Sequence, residues 1–257
     1  MNKRLRNAIS YFAWATAIIT LSALHVEAQQ TGAWREAFQS SPASYVPAAP
    51  EFLTRISEQY KVPVKIIEDS LTPKQVTGTL RFRFAVSAGG SQVRIRLSNE
   101  EGKKPLMIAS ASLGIAAKGF EAVPGSLKPL NFGGRRAITI APGALVISDP
   151  INLETVFGTE LLASIFAPGN VEIDPRGGAV LALAETDQTL REVLTPMTTR
   201  PARPLITGAE VFSPAPPRVI VAFGDSITDG NRANPSALRG WPAELAQRLN
   251  ALTDGPR

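Results

Sequence analysis

The residues best suited to chemistry are Gly224-Asp225-Ser226-Ile227-Thr228-Asp229-Gly230. They follow the apolar run Val219-Ile220-Val221-Ala222-Phe223. Such a run suits a strand buried on both faces, as in a parallel sheet. The carboxyl end of that strand is where open α/β sheets place their sites. A serine on a tight turn there can project its hydroxyl into solvent and aim its own backbone N–H at the same reacting atom. Gly224 lets the chain turn without a Cβ clash. The arrangement is like a nucleophile elbow, although the spacing is not Gly-x-Ser-x-Gly. The plainer reading is an ordinary turn, since Gly, Asp and Ser all favour turns.

A serine hydroxyl is a weak nucleophile without an adjacent base. The single histidine is His25, far upstream of Ser226, and there is no cysteine. Disulfides, thiol nucleophiles and Cys-ligated metals are therefore excluded. Glu68-Asp69 and Asn99-Glu100-Glu101 lack the alternating ligand spacing of a calcium loop. The Gly-rich turns lack the lysine and serine of a phosphate loop. The residues imply no metal and no organic cofactor.

The positioning elements change character along the chain. Lys3, Arg4 and Arg6, then an apolar stretch over 8–24, then Val26-Glu27-Ala28 read as a secretory signal cleaved before Gln29. An uncleaved membrane anchor is the alternative, but the apolar stretch is at the lower limit of about 17 residues for a span. Cleavage leaves a secreted or periplasmic chain with no membrane partner. The formal charge of +5 falls by two when that segment goes, which argues for no nucleic-acid partner. Residues 29–50, rich in Ala, Ser, Pro and Gln, read as a tether. Phe52, Ile56 and Tyr60 then suggest a short helix.

From Gly78 the period is two. Leu80, Phe82, Phe84 and Val86 alternate with Arg81 and Arg83; Val93, Ile95 and Leu97 alternate with Arg94 and Arg96. Ala88-Gly89-Gly90 between them predicts a hairpin with four arginines on its outer face. Those arginines could bind acidic polysaccharide, but a solvated strand face that resists edge pairing is the preferred reading, since charge runs usually face water. Further short strands are expected over 106–113, 136–140, 144–148, 160–166, 179–184 and 205–212. Turn signals such as Ala167-Pro168-Gly169-Asn170 separate them. The pattern predicts a mainly β fold with an antiparallel β-sandwich over 51–212. Ser213-Pro214-Ala215-Pro216-Pro217 is a stiff spacer. Residues 218–257 then read as a strand and a helix, the latter opening on Trp241-Pro242 with Leu245, Leu249 and Leu252 on one face. Trp34 and Trp241 read as packing residues rather than sugar platforms.

The string from Gly224 to Gly230, followed by Trp241-Pro242 and Leu245-Ala246-x-Arg248-Leu249, resembles the opening of GDSL (SGNH) serine hydrolases. Upstream, Ser87-Ala88-Gly89-Gly90, Val93-Arg94-Ile95-Arg96-Leu97-Ser98-Asn99-Glu100, Asn131-Phe132-Gly133-Gly134-Arg135 and Ser148-Asp149-Pro150 look like the β-domain of one secreted subgroup. The resemblance implies that 218–257 begin a flavodoxin-like α/β hydrolase domain. It implies Ser226 as nucleophile and its N–H as an oxyanion donor, with Gly224 and Asp225 supporting the turn. It also implies an Asp-x-x-His segment, which 29–257 do not contain. The expectation is an exported esterase, incomplete as this polypeptide, acting on carboxylic esters with acylated carbohydrate among the candidate substrates. The rival expectation is a secreted β-sandwich binding or interaction module with a vestigial hydrolase tail.

Overall fold

The structure, a computed structural model, describes residues 32–177, 179–214, 220–230 and 240–252. The expected signal segment 1–28, with His25, and 215–217 of the Pro-rich spacer lie outside them. In chain order the elements are β1 (Ala33–Gln39), α1 (Pro50–Tyr60), α2 (Val64–Leu71), β2 (Lys74–Ala85), β3 (Gly90–Ser98), β4 (Leu106–Ile108), β5 (Ser110–Ile115), β6 (Lys128–Pro129) and β7 (Ile138–Ile140). There follow β8 (Leu145–Ile147), β9 (Ile151–Thr155), β10 (Glu160–Ile173), β11 (Ala179–Ala184), β12 (Thr198–Ala202), β13 (Ile206–Ser213), α3 (Ser226–Asp229) and α4 (Gly240–Ala251).

The protein is mainly β, and its strand pairs are antiparallel. One sheet runs β1-β13-β3-β8, with β9 also on β3; the other runs β12-β11-β2-β10-β5-β6. β4 and β7 form a small ribbon. The inward residues Leu80, Phe82 and Phe84 of one sheet join Val93, Ile95 and Leu97 of the other in one buried cluster. The alternation of period two is thus converted into a shared apolar layer.

The expected hairpin between the two alternating runs does not form. β2 pairs with β10 and β11, whereas β3 pairs with β13, β8 and β9. The chain crosses from one sheet to the other at Gly89-Gly90. A hairpin would set both apolar faces side by side on one sheet; the crossing places them on different sheets that share one buried cluster. A Cβ on Gly90 would lie 2.5 Å from the Phe212 carbonyl oxygen, so the crossing needs glycine.

The expected outer arginine face is also corrected. Arg81 is fully buried. Across four strands its neighbours in register are Ser112, Ser164 and Ala182, all small. That leaves room for the 186–194 segment to close over the sheet. Arg81 Nε donates to Ser164 Oγ at 2.7 Å. Its terminal nitrogens donate to the carbonyls of Phe120 at 3.0 Å, Glu192 at 3.1 Å and Arg191 at 2.6 Å. Burial pushes its guanidinium down to about 10. The other three arginines are half-buried and paired, Arg83 with Glu160, Arg94 with Glu210 and Arg96 with Glu36. Arg94 also stacks 4.3 Å over the Trp34 ring.

Three smaller expectations change. The tether over 29–50 contains β1, paired with β13 from Ala33↔Ser213 to Gln39↔Gly208. Only Ala37 of β1 is buried, but Phe38 packs on the core beside Phe84 and Trp34 lies against Phe212, so ring contacts add to the backbone pairing of this edge strand. The helix at 50–60 forms, but Leu53 is its buried residue while Phe52 and Tyr60 are exposed. The Ala167-Pro168-Gly169-Asn170 turn is instead a bulge within β10, where the register shifts between Ala167 and Val171.

Candidate nucleophile turn

Val219-Ile220-Val221-Ala222-Phe223 needs sheet neighbours on both edges to become a buried strand. Val219 lies outside the described residues, and 220–223 form no strand. Ile220, Val221 and Phe223 are 64%, 82% and 99% exposed. The expected strand is therefore corrected to an exposed apolar segment. Among the described residues neither sheet extends a strand to it.

The turn itself is ordered locally. Asp225 Oδ1 accepts a hydrogen bond from the Ile227 N–H at 2.9 Å. Asp and Asn favour this side-chain-to-backbone turn because their carboxyl or amide oxygen reaches the amide two residues on. Ser226 is consequently the first residue of α3, which ends at Asp229. Gly230 closes the turn with φ 71°, its N–H donating to the Ile227 carbonyl at 3.2 Å.

Thr228 is the contact that sequence reasoning missed. A Cβ on Gly224 would lie 2.1 Å from Thr228 Oγ1, and one on Gly240 would lie 2.7 Å from the Thr228 carbonyl oxygen. Trp241 Nε1 donates to Thr228 Oγ1 at 3.4 Å. Two glycines and one indole thus hold α3 against the start of α4. The available signal was Gly240 directly before Trp241-Pro242. Trp241 is half exposed, and its ring nitrogen serves this contact. Leu245 and Leu252 are 37% and 53% exposed, so the apolar face of α4 has no core to cover.

The structure therefore brings Gly224, Asp225 and Ser226 into one turn. It places no imidazole beside them, since 29–257 contain no histidine. Among the described residues, no three His, Asp or Glu side chains converge in a way that could hold a metal ion. The more elaborate polar network lies elsewhere, on the outer face of the β2 sheet. There Asp187 accepts from Ser110 Oγ at 2.7 Å and from the Thr189 N–H at 3.0 Å. Its partial burial raises the carboxyl, but bonds from Ser110 and Thr189 and the charge of Arg136 outweigh that and hold it below its ordinary value. Ser110 is itself buried, so this group organises the sheet cover rather than facing a substrate. Comparison with protein-family models and with curated proteins gives no match to this chain.

Proposed function

We propose that the chain belongs to an exported serine hydrolase of the GDSL type, acting on carboxylic esters, with acylated carbohydrate among its candidate substrates. In this reading the two sheets are an antiparallel β-sandwich unit, and 218–257 open an α/β hydrolase unit. The observation that carries the reading is the turn, in which Asp225 orders the backbone so that Ser226 begins α3. Ser226 Oγ would attack the ester carbonyl, and its own N–H would help stabilise the oxyanion. The acyl-enzyme would then be released by water. A base must take the serine proton. The proposal assigns that base to an imidazole, and to none of the residues 29–257. Export rests on the signal pattern of 1–28. Among the described residues no helix is long and apolar enough to cross a membrane.

The test is active-site capture. The exported protein, as its own cells release it, is treated with a fluorophosphonate probe and mapped by peptide mass spectrometry. The label is expected on Ser226 and lost in Ser226→Ala. Ester hydrolysis that persists in Ser226→Ala, or the absence of any Ser226 label in that preparation, overturns the reading. Residues 29–257 alone are expected to hydrolyse p-nitrophenyl acetate no faster than their Ser226→Ala variant.

A second reading has its own support. Ile220, Val221, Phe223, Ile227, Trp241, Leu245 and Leu252 are all exposed, whereas the two sheets carry a full core. A binding or interaction module built on the sheets, with a vestigial hydrolase segment, fits that contrast.

A further inference from the structure

A cavity of about 240 Å³ opens at one end of the two sheets, where the 41–45 segment crosses over strands from both. β2 and β10 contribute Gln75 and Val171, while β3 and β13 contribute Ser98 and Thr207. The β10 bulge helps form the opening, since Asn170 and Val171 both line it. The site is assigned to no step of the Ser226 chemistry, and none of its lining residues comes from 220–252.

Its wall is built in advance of any ligand. Asp174 holds Arg176 through two side-chain hydrogen bonds of 2.9 Å each. Arg176 in turn donates to the Val46 carbonyl at 2.7 Å and stacks 4.5 Å from the Tyr45 ring centre. Arg203 donates to the Ser41 carbonyl at 3.3 Å, and Ser40 N–H to the Thr207 carbonyl at 3.1 Å. Tyr45 is thereby fixed as a wall. Polar capacity is left over at the same place. Thr207 Oγ1 is buried and makes no hydrogen bond within the described structure; Arg203 Nε also makes none, its contact with Asp174 Oδ2 being an ion pair at 3.8 Å. Buried polar groups without a partner are uncommon and call for an explanation.

The chemistry of the lining selects a ligand class. Glu101, Glu172 and Asp174 face Lys103, Lys104 and Arg203, so the two signs of charge balance. A balanced wall gives no net attraction to a strongly anionic or cationic ligand. Pro42, Pro73, Pro105 and Leu205 present aliphatic surface between these polar groups. A ligand matched to such a wall is neutral, has C–H faces and carries many hydroxyls. The volume lies just under the roughly 300 Å³ at which small-molecule sites usually begin. That is room for one sugar ring rather than a chain. We infer that this cavity binds a single neutral pyranose unit, free or at the end of a glycan, with the 41–45 segment as its outer wall. The inference stands on the two-sheet unit and does not depend on Ser226.

The test is a titration of the full chain, followed by NMR or calorimetry. The neutral probes are glucose, galactose, xylose and N-acetylglucosamine; the charged ones are glucuronate and glucosamine. Saturable millimolar binding is expected for at least one neutral probe, with the charged probes weaker by about tenfold, the equivalent of ~1.4 kcal/mol. Ala43→Trp, which fills the mouth, is expected to abolish binding. Gln75→Ala, at an exposed rim position, is expected to weaken it roughly two- to tenfold, the range for one lost hydrogen bond. This milder variant keeps the test decisive if Ala43→Trp fails to fold. No saturable binding of any neutral probe, equal binding of the charged ones, or binding untouched by both substitutions overturns the inference. Loss of sugar binding with Ser226 labelling intact would remove this inference alone and leave the hydrolase reading standing.

Discussion

Phe82 lies in an alternating run between Arg81 and Arg83, and Phe223 ends a continuous apolar run; both runs read as strands in the sequence, yet one ring is 2% exposed and the other 99%. The difference lies in the partners. Phe82 faces Ala163 on β10 and Leu181 on β11, and both of those strands come from far along the chain. Among the described residues the segment 220–223 has no strand beside it. An apolar run specifies a surface that wants to be buried; only a second run of matching register buries it. The two-sheet unit satisfies that condition internally and the nucleophile segment does not.

The sharpest way to break this comparison is to truncate both rings. Phe82→Ala should cost about 3–5 kcal/mol, as expected for a large side chain removed from a packed core. Phe223→Ala should change stability by less than about 0.5 kcal/mol, as for an exposed position. Urea melts of the two variants against the parent chain measure both. A cost at Phe223 approaching that at Phe82 would show that 220–223 are covered in solution.

A second contrast lies within the sheets. Arg81 and Arg94 look alike in sequence, each between inward apolar residues. Arg81 is closed in by carbonyls, whereas Arg94 pairs with Glu210 at a half-open surface. Arg81→Met should cost roughly 2–4 kcal/mol, because each orphaned buried acceptor costs about 1–3 kcal/mol. Arg94→Met should cost under about 1 kcal/mol, as for a surface pair. Thermal melts separate them, and hydrogen exchange should locate the Arg81 effect in 186–194. Equal losses would mean that the cage around Arg81 is not what holds that segment down.

These contrasts show what could be read from the sequence. The alternation at 79–86 and 92–97 reveals strands and their inward faces, because side chains alternate with a period of two whatever the partner. The run at 179–184 is found as β11 for a different reason, being continuously apolar, with Leu181 to Ala184 all buried. Partner choice is not local. Gly89-Gly90 permits a hairpin or a crossing equally, and only the distant β10, β11 and β13 decide. Arg81 cannot be told from Arg83 without knowing that Ser112, Ser164 and Ala182 stand in its register. β1 was hidden because Trp34, Ala37 and Phe38 break the period of two, the register shifting between Glu36 and Phe38. At the candidate site the turn was legible, since Asp225 and Gly230 act within a few residues. Its link through Thr228 to Gly240 and Trp241 was not, because it spans a dozen positions.

Between the packed sheets and the exposed nucleophile segment lies a third case, the 41–47 crossing, which is held by polar groups. Asp174 is its anchor, since it fixes the Arg176 that grips Val46 and Tyr45. Partial burial raises the Asp174 carboxyl, but the bonds and charge of Arg176, with the charge of Arg203, outweigh that and hold it below the ordinary value of 3.8. A carboxyl depressed in the folded state adds stability that is present above its unfolded pKa. That contribution is lost as pH falls from 3.8 towards the folded value. Asp174→Asn keeps the shape and removes the charge. At pH 7 it should cost about 1.5–3 kcal/mol, the range for hydrogen bonds to charged groups, and should raise amide exchange over 41–47. As the parent chain is acidified through the carboxylate range its own Asp174 takes up a proton, so the gap between the two proteins should narrow. A gap as wide in acid as at neutral pH would show that Asp174 acts through shape alone, and that the crossing is held like the sheets rather than by its ion pairs.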